Sequence, residues 1–262
     1  MIQTVQAVQF HRFMGTGRTK PVLCGCESDD GTPAGDYVVK LRGGNERGVT
    51  GLASELVASQ LAGYFGLPVP APALVTLDPM FVELVSAIQP DKARILQPSV
   101  GLNFGSRQLN DVMTWPVDRP IPEVMWPAAI CAFAFDALIQ NPDRRFTPNP
   151  NLFSRGDEII VYDHELAFSF IEDLLPAKEP WRLDRCAFLS DHVFFRRLRG
   201  KEIDLISFTE ALSALPQRVL PAILAEVPAE WNNGSLQKID GHIRAVAGEA
   251  ASFAEEIRRR LA

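Results

Sequence analysis

The sequence lacks a long hydrophobic run, a basic leader segment and a zinc-type cysteine pattern. Its four cysteines include Cys24 and Cys26, which are too close together for a zinc knuckle, and no second pair or nearby histidine completes a tetrahedral site. The most apolar stretch, residues 127–139, contains Asp136 and is too short to cross a membrane. Residues 1–13 contain no positively charged region followed by an apolar core, so no secretory signal is predicted. These absences predict a reduced, cytoplasmic protein without a membrane partner.

Positive charge is also scarce. The 262 residues include 26 Lys and Arg against 32 Asp and Glu, which gives a formal net charge of −6. A general nucleic-acid surface needs an excess of basic residues, so we expect no nucleic-acid partner. A nucleotide site needs only a few basic groups in one place and is not excluded. The length and the 47% hydrophobic content suffice for one large domain or for two lobes.

The first part of the chain predicts strands and one helix. Residues 4–13, 22–27 and 36–41 have alternating or β-branched character and predict an antiparallel β-meander. Apolar residues at helical spacing between Leu52 and Phe65 predict a helix that ends at Gly66. A further strand is expected at residues 73–77, and residues 90–110 are interpreted as strand, connector and hinge.

The second part of the chain is predicted to be mostly helical. Residues 123–140 form an apolar helix, residues 141–151 a polar loop, and residues 152–162 a β-hairpin with its turn at Gly156. The last helix is expected to run from Ile239 to Leu261. This order predicts an α+β protein with a cleft between unequal halves. We assign residues 1–106 to an N-terminal nucleotide-binding lobe and residues 107–262 to a C-terminal catalytic helical lobe.

Lys40 and Glu55 are a candidate buried ion pair. Lys40 alternates with apolar residues at the end of a predicted strand, and Glu55 follows fifteen residues later in the predicted helix. Such a pair would hold the lysine so that its charge can meet phosphate oxygens. The alternative is that both are ordinary surface residues, a strand lysine and a helix carboxylate.

A short glycine-containing loop lies between the first two predicted strands. The backbone N–H groups of such a turn can bind an anion, although the spacing of a Walker A loop is absent. The alternative is an ordinary turn between strands. The candidate phosphate-binding residues of this loop are Gly15, Thr16, Gly17, Arg18 and Thr19.

The polar loop after the apolar helix contains a stronger cluster. Asp143 can orient an attacking hydroxyl group or accept its proton, and an asparagine before the next strand can offer a carbonyl oxygen to magnesium. Asp163 follows the predicted hairpin and can supply a second hard oxygen ligand to the same metal. Asp and Asn also favour simple turns, which is the alternative interpretation.

These motifs together resemble those of the HipA-like kinases, in the short form that lacks an extra N-terminal subdomain. The matching segments are YVVKLRGG, ASELVASQLAGYFGLPVPAPALV, FDALIQNPDRRFTPNPNLF and IIVYDHELAFSF. The chain is also remotely similar to phosphoinositide 3- and 4-kinases, which share the second pair of motifs. The resemblance spans roughly residues 8–240 and implies a bilobal protein-kinase-like fold with ATP and Mg²⁺ as cofactors.

The resemblance also implies roles for individual residues. Lys40 would contact the nucleotide phosphates with Glu55 as its brace, Asp143 would be the catalytic carboxylate, and Asp163 would bind magnesium. Related kinases place the metal-binding asparagine five residues after the catalytic aspartate, where this sequence has a proline. Asn149 and Asn151 are the two candidates, and Asn151 is preferred because it directly precedes the apolar start of a strand.

Three functions are compatible with these residues. The first is an ATP- and magnesium-dependent kinase that phosphorylates a hydroxyl group, by analogy a Ser or Thr of a protein. The second is a nucleotide-binding pseudokinase or interaction module, favoured by the displaced asparagine. The third is a lipid or small-molecule kinase, for which the FFRRLRGK segment offers a basic cluster at Arg196, Arg197, Arg199 and Lys201. The sequence predicts neither the identity of the acceptor nor an oligomeric state.

Overall fold

The computed structural model describes residues 2–15 and 19–262 and has the mixed α+β composition predicted from the sequence. Its backbone separates into two compact units. The first comprises the chain up to Ser59 together with Pro70–Asn110 and Glu226–Asn233, and the second comprises Gln60–Val69, Asp111–Ala225 and Gly234–Ala262. The functional lobes assigned to residues 1–106 and 107–262 stay a prediction.

The first unit contains a closed five-stranded barrel. The strands follow each other in the order β1-β2-β3-β5-β4, and the barrel closes through parallel pairing of β1 with β4. All other neighbouring strands are antiparallel. The strands are β1 (Gln3–Phe13), β2 (Val22–Glu27), β3 (Pro33–Lys40), β4 (Pro72–Leu77) and β5 (Gly101–Arg107).

The alternation of side chains along these strands builds the barrel core. Residues two apart on one strand point to the same side, so Val5 and Ala7 of β1 and Cys24 and Cys26 of β2 are all buried inside. The meander predicted for the first forty residues is confirmed as β1, β2 and β3. Its third strand begins at Pro33, three residues earlier than expected.

Two helices and a short helical segment belong to this part of the chain. The helix predicted between Leu52 and Phe65 is confirmed as α1, Val49–Tyr64. The helix α2, Pro79–Ile88, was not predicted, although its start carries an ordinary N-terminal pattern: the Asp78 side chain accepts a hydrogen bond of 2.6 Å from the backbone N–H of Phe81. Residues 90–110 contain the short helix α3, Ala93–Leu96, before β5.

The second unit is mainly helical and contains a small sheet of order β6-β7-β8. The predicted hairpin is confirmed as its last two strands. The strands are β6 (Met113–Thr114), β7 (Leu152–Arg155) and β8 (Glu158–Val161). The helices are α4 (Trp126–Leu138), α5 (Phe195–Leu198), α6 (Ile206–Arg218), α7 (Leu220–Ala225), α8 (Ser235–Gly248) and α9 (Ala250–Leu261).

The helix α4 occupies the core of this unit, and most of its side chains are buried. Its apolar faces explain why periodicity alone predicted a buried helix. No helix among residues 2–15 and 19–262 has both the length and the apolar character needed to cross a membrane.

The single helix predicted from Ile239 to Leu261 is wrong, because the chain forms α8 and α9 instead. The backbone leaves the helical region at Glu249, where φ is −121° and ψ is 34°. Gly248 precedes this break. Glycine is a weak helix former because it loses the most backbone conformational entropy when it is held in a helix. The apolar periodicity continues through the break, which is why it predicted one element.

We predict that Gly105→Ala will destabilise the barrel. A Cβ atom at this position of β5 would lie 2.4 Å from Cγ2 of the buried Val75, so the strands would have to move apart. The free energy of unfolding, measured with urea, should fall by about 1–3 kcal/mol. Gly63→Ala is the matched control, because that exposed glycine of α1 has open space around it, and alanine there should raise stability by about 0.5–1 kcal/mol. Equal effects at both positions would contradict the barrel packing.

We also predict a pH-dependent contribution from His242 of α8. Its Nε2 donates a 2.8 Å hydrogen bond to the carbonyl oxygen of Leu138, its ring stacks on Phe170, and burial lowers its pKa to about 4. As the pH falls, His242 is therefore protonated below about pH 6.5 in the unfolded chain, but only near pH 4 in the folded chain. The stability that the neutral ring contributes is complete above about pH 6.5 and is lost as the pH falls toward about 4, by about 3 kcal/mol.

Urea unfolding of wild type and His242→Gln from pH 4 to 7.5 measures this contribution. The stability difference between the two proteins should be largest above pH 6.5 and should narrow as the pH falls. A difference that does not change with pH would show that the ring titrates alike in the folded and unfolded chains.

Candidate active site

The loop between α4 and β7 brings Asp143 and Asn151 together. The Asn151 side-chain Nδ2 donates a 2.9 Å hydrogen bond to Oδ2 of Asp143, although eight residues separate them in the chain. Asn151 is buried and its φ is 56°, a left-handed conformation that asparagine tolerates better than most residues. Because Nδ2 is turned toward Asp143, the amide oxygen Oδ1 is the atom left for another partner.

Asp163 follows β8 and lies near the same loop. Burial raises the pKa of Asp143, and the negative charge of Asp163 raises it further. The hydrogen bond from Asn151 and the charges of Arg145 and Arg144 oppose this rise. Two carboxylates that repel each other beside an amide oxygen form an environment that a hard divalent cation would stabilise. This donor set fits magnesium.

Arg144 connects the segments that carry these groups. Its side chain is completely buried, and its Nε lies 2.6 Å from Oδ2 of Asp136 in α4. Its Nη1 donates one hydrogen bond to the main-chain carbonyl oxygen of Asn151 and another, 3.2 Å long, to the main-chain carbonyl oxygen of Tyr162. Tyr162 directly precedes Asp163, so one guanidinium group positions the backbone at both candidate metal-binding residues.

Asp136 in turn is surrounded by donors. Nδ2 of Asn141 donates a 3.0 Å hydrogen bond to Oδ1 of Asp136, and Nε2 of His192 donates a 3.0 Å hydrogen bond to Oδ2 of Asp136. Burial alone would raise the pKa of Asp136, but the charge of Arg144 and the hydrogen bond from His192 hold it below its ordinary value. Burial lowers the pKa of His192, and its Nδ1 accepts from the backbone N–H of Phe194. A neutral ring with its proton on Nε2 satisfies both contacts.

Asn149 is placed differently from Asn151. It is exposed, and its Oδ1 accepts a 3.0 Å hydrogen bond from the hydroxyl group of Tyr162. In Asn149, the amide oxygen that would have to bind a metal therefore already accepts a hydrogen bond. The assignment of the metal-binding role stays a prediction for Asn149, Asn151 and Asp163.

In the first unit, Lys40 and Glu55 form the ion pair that the sequence indicated. Lys40 ends β3 opposite Phe104 of β5, Glu55 lies in α1, and Nζ of Lys40 contacts Oε1 of Glu55. Both side chains are almost fully buried, so neither is the ordinary surface residue of the alternative interpretation. Their roles toward a nucleotide stay predictions.

The candidate phosphate-binding loop connects β1 and β2, as expected. The backbone N–H of Met14 donates a 2.7 Å hydrogen bond to the carbonyl oxygen of Pro21, which closes the loop. Gly15 is exposed, whereas Thr19 is buried. The other three predicted residues, Thr16, Gly17 and Arg18, lie outside the described residues.

The sequence indicated that Arg144 pairs with a carboxylate, but it did not identify Asp136, Asn141 and His192 as the residues that support this site. Asp136 stood out only as a charge that interrupts an apolar helix, and a carboxylate in that position requires a buried partner. That requirement could have suggested a role in a buried ion pair. Neither Asn141 nor His192 has such a local pattern, because both meet Asp136 only in the folded chain.

Comparison with known proteins identifies a similar fold and a family. The fold is similar to that of a Helicobacter pylori proinflammatory kinase, CtkA, in its crystal structure, with a TM-score of 0.54 and 11% sequence identity over 100% of this chain and 98% of that chain. The model of the HipA-like kinase family matches residues 7–253, so this protein belongs to that family of phosphotransferases. No curated protein sequence matched the chain. The likeness to phosphoinositide kinases stays a prediction.

We predict that Asp136→Asn will strongly destabilise the protein. The substitution leaves the guanidinium charge of Arg144 buried without a counter-ion, which should lower the free energy of unfolding by about 3–5 kcal/mol. Urea unfolding at pH 7 measures this loss. Glu158→Gln is the control, because its pair with Arg155 is half exposed and should be worth less than about 1 kcal/mol. A comparable, small loss in both variants would contradict the central role of Asp136.

Proposed function

We propose that this protein is an ATP- and magnesium-dependent kinase that transfers the γ-phosphoryl group to a Ser or Thr hydroxyl of a protein. The observation that carries this proposal is the group formed by Asp143, Asn151 and Asp163 in a member of a kinase family. The TM-score of 0.54 supports a bilobal kinase-like fold as part of the same proposal. A cytoplasmic location also belongs to it.

Asp143 is the group that would meet the acceptor. Its Oδ2 is held by Asn151, which fixes the direction of the carboxylate. The other oxygen, Oδ1, can accept a hydrogen bond from the incoming hydroxyl and take its proton as the hydroxyl oxygen bonds to the γ-phosphorus. The bond from that phosphorus to the β,γ-bridging oxygen breaks, and ADP leaves with the electron pair. A pKa raised by burial and by Asp163 makes this carboxylate a better proton acceptor than an exposed aspartate.

Asn151 Oδ1 and Asp163 would hold the metal. Bound magnesium supplies positive charge that offsets the charge of the transferring phosphoryl group. Asn151 is preferred over Asn149, because the amide oxygen of Asn149 already accepts from Tyr162. The protein keeps the two ligands in place through Arg144, whose Nη1 binds the carbonyl oxygens of residues 151 and 162.

Lys40 would contact the nucleotide phosphates. A buried ammonium group is stable only with a counter-charge, and Glu55 provides it. The pair also restricts the lysine to one position, so that little ordering is needed when phosphate oxygens approach. The loop from Gly15 to Thr19 is the proposed backbone contact to the same phosphates.

The displaced asparagine had favoured a pseudokinase, but the geometry of Asn151 favours the active enzyme. The enlarged loop absorbs three additional residues and still directs Nδ2 of Asn151 to Asp143. A lipid kinase is less well supported, because Phe194 is buried and Phe195 is partly buried, so neither is an exposed membrane anchor.

We predict that Asp143→Asn and Asp163→Asn abolish phosphoryl transfer. Transfer from γ-labelled ATP with Mg²⁺ should fall at least about 100-fold in each variant, because the hydroxyl loses its acceptor or the metal loses a ligand. Asn151→Ala should show a similar loss, and Asn149→Ala is the matched control that should remain within about threefold of wild type. The readouts are autophosphorylation and phosphorylation of dephosphorylated casein.

Two outcomes would contradict the proposal. Transfer that is unaffected by Asp143→Asn would remove its proposed role. Thermal stabilisation of the wild-type protein by ATP and Mg²⁺ without transfer to either acceptor would instead indicate a nucleotide-binding pseudokinase.

A further inference from the structure

The segment Asp191–Arg197 is attached directly to the loop that contains Asp143. The backbone N–H of Phe146 donates a 2.8 Å hydrogen bond to the carbonyl oxygen of Asp191. The backbone N–H of Val193 donates a 3.0 Å hydrogen bond to the carbonyl oxygen of Arg144. Arg145 is bridged to His192 in the same ladder. Residues around 195 therefore have a fixed position relative to the loop of the proposed catalytic carboxylate.

Phe146 connects the two segments through its ring. The guanidinium carbon of Arg196 lies 5.2 Å from the ring centroid, and that of Arg197 lies 5.8 Å from it. Arginine on an aromatic ring keeps its planar edge available for hydrogen bonds to an oxyanion. Together with Arg145, which follows Asp143 by two residues, these side chains form what we call the basic cluster: Arg145, Arg196 and Arg197.

The arginines of the basic cluster form no close ion pairs among the described residues. In the part of the chain that the structure describes, none of its three arginines has a carboxylate oxygen within 4.0 Å, in contrast to Arg144, Arg155 and Arg244. Asp191 and Glu202 are the acidic residues nearest to Arg196 and Arg197 in sequence, and neither forms an ion pair with them among the described residues. This concentration of positive charge occurs in a protein whose net charge is −6.

One donor of the basic cluster is buried and unsatisfied. Nη1 of Arg197 is shielded from solvent and has no hydrogen-bond partner within the described residues. Because this atom is shielded, an incoming oxyanion would meet the accessible donors of the cluster, which belong to the exposed Arg196 and the partly exposed Arg197, through charge-assisted hydrogen bonds. Of the three arginines, Arg145 is the one whose charge acts on Asp143.

We infer that the basic cluster recognises an acidic group, a carboxylate or a phosphate, on the protein segment that carries the acceptor hydroxyl. This inference rests on the proposed function and specifies its substrate: Ser or Thr residues with acidic or phosphorylated neighbours. Arg196 and Arg197 are specificity-determining residues, whereas Asp143 acts on the hydroxyl itself. A membrane surface is a poorer match, since the aromatic residues before the arginines are not exposed.

Peptide binding tests the inference without requiring catalysis. Fluorescein-labelled peptides with a central serine flanked by glutamate, by phosphoserine or by lysine are titrated with the wild-type protein in Mg²⁺ and ADP, and anisotropy is recorded. We expect at least one acidic peptide to bind, the lysine peptide to bind at least about tenfold more weakly, and affinity to decrease with salt.

The variant Arg196→Gln/Arg197→Gln should weaken binding of the acidic peptide by at least about tenfold. Arg182→Gln/Arg259→Gln is the matched control: it removes the same charge at two exposed arginines that pair with Glu179 and Glu256. Arg196→Lys/Arg197→Lys keeps the charge but loses the planar edge and should have an intermediate effect. Circular dichroism and thermal unfolding show whether each variant is folded; if the double glutamine variant is not, Arg196→Gln alone is compared.

Steady-state kinetics with the same peptides distinguish the proposed kinase activity from the proposed recognition of an acidic group. The glutamine variant should raise KM for the acidic peptide about tenfold, with KM for ATP and kcat within about twofold of wild type. Equal peptide affinity in variant and wild type, or equal loss with the lysine peptide, would overturn the inference. Binding to phosphatidylserine vesicles without binding to any acidic peptide would overturn it as well. Peptide binding that depends on Arg196 and Arg197 without any transfer would refute the kinase activity but keep the acidic recognition site.

Discussion

The buried ion pair between Asp136 and Arg144 is the interaction on which the candidate active site depends. Desolvating both charges is costly, and the cost is offset only because each charged group has further partners. On the arginine side these partners are the carbonyl oxygens of Asn151, just before β7, and of Tyr162, just after β8. The stability of the core and the position of the site are therefore set by the same guanidinium group. A lysine could not replace it, because a point charge lacks the planar arrangement of donors.

This attachment explains how two strained residues are maintained. Asn151 and Asp163 both have left-handed backbone conformations, with φ of 56° and 59°. Such conformations are unfavourable in an isolated chain and persist where the surrounding structure determines them. The hydrogen bonds from Arg144 act at Asn151 itself and at the residue before Asp163. The loop can therefore contain a different number of residues than in related kinases and still bring its amide group to Asp143.

The sequence predicted those features that depend on local spacing. Short segments encode the alternation in β1 and β2 and the periodicity of α1. They also encode the positions of Lys40 at the end of β3 and of Glu55 within α1. Closure of the barrel by β1 and β4 could not be predicted in this way, because it joins strands about seventy residues apart. The same holds for Asp136 and His192, whose partnership depends on tertiary packing, whereas the break at Glu249 was hidden by apolar positions that continue across it.

The segment Asp191–Arg197 links the support of the candidate site to the basic cluster that we propose for substrate recognition. His192 at its beginning is buried against Asp136, while Arg196 and Arg197 at its end surround the ring of Phe146. The segment is short, and backbone hydrogen bonds join it to the loop that contains Asp143. Its two ends therefore have little freedom to move independently of each other. The position of the basic cluster is therefore determined by the same buried network that positions Asn151. Under the proposed function, the choice of acceptor and the geometry of phosphoryl transfer would therefore depend on the same set of contacts.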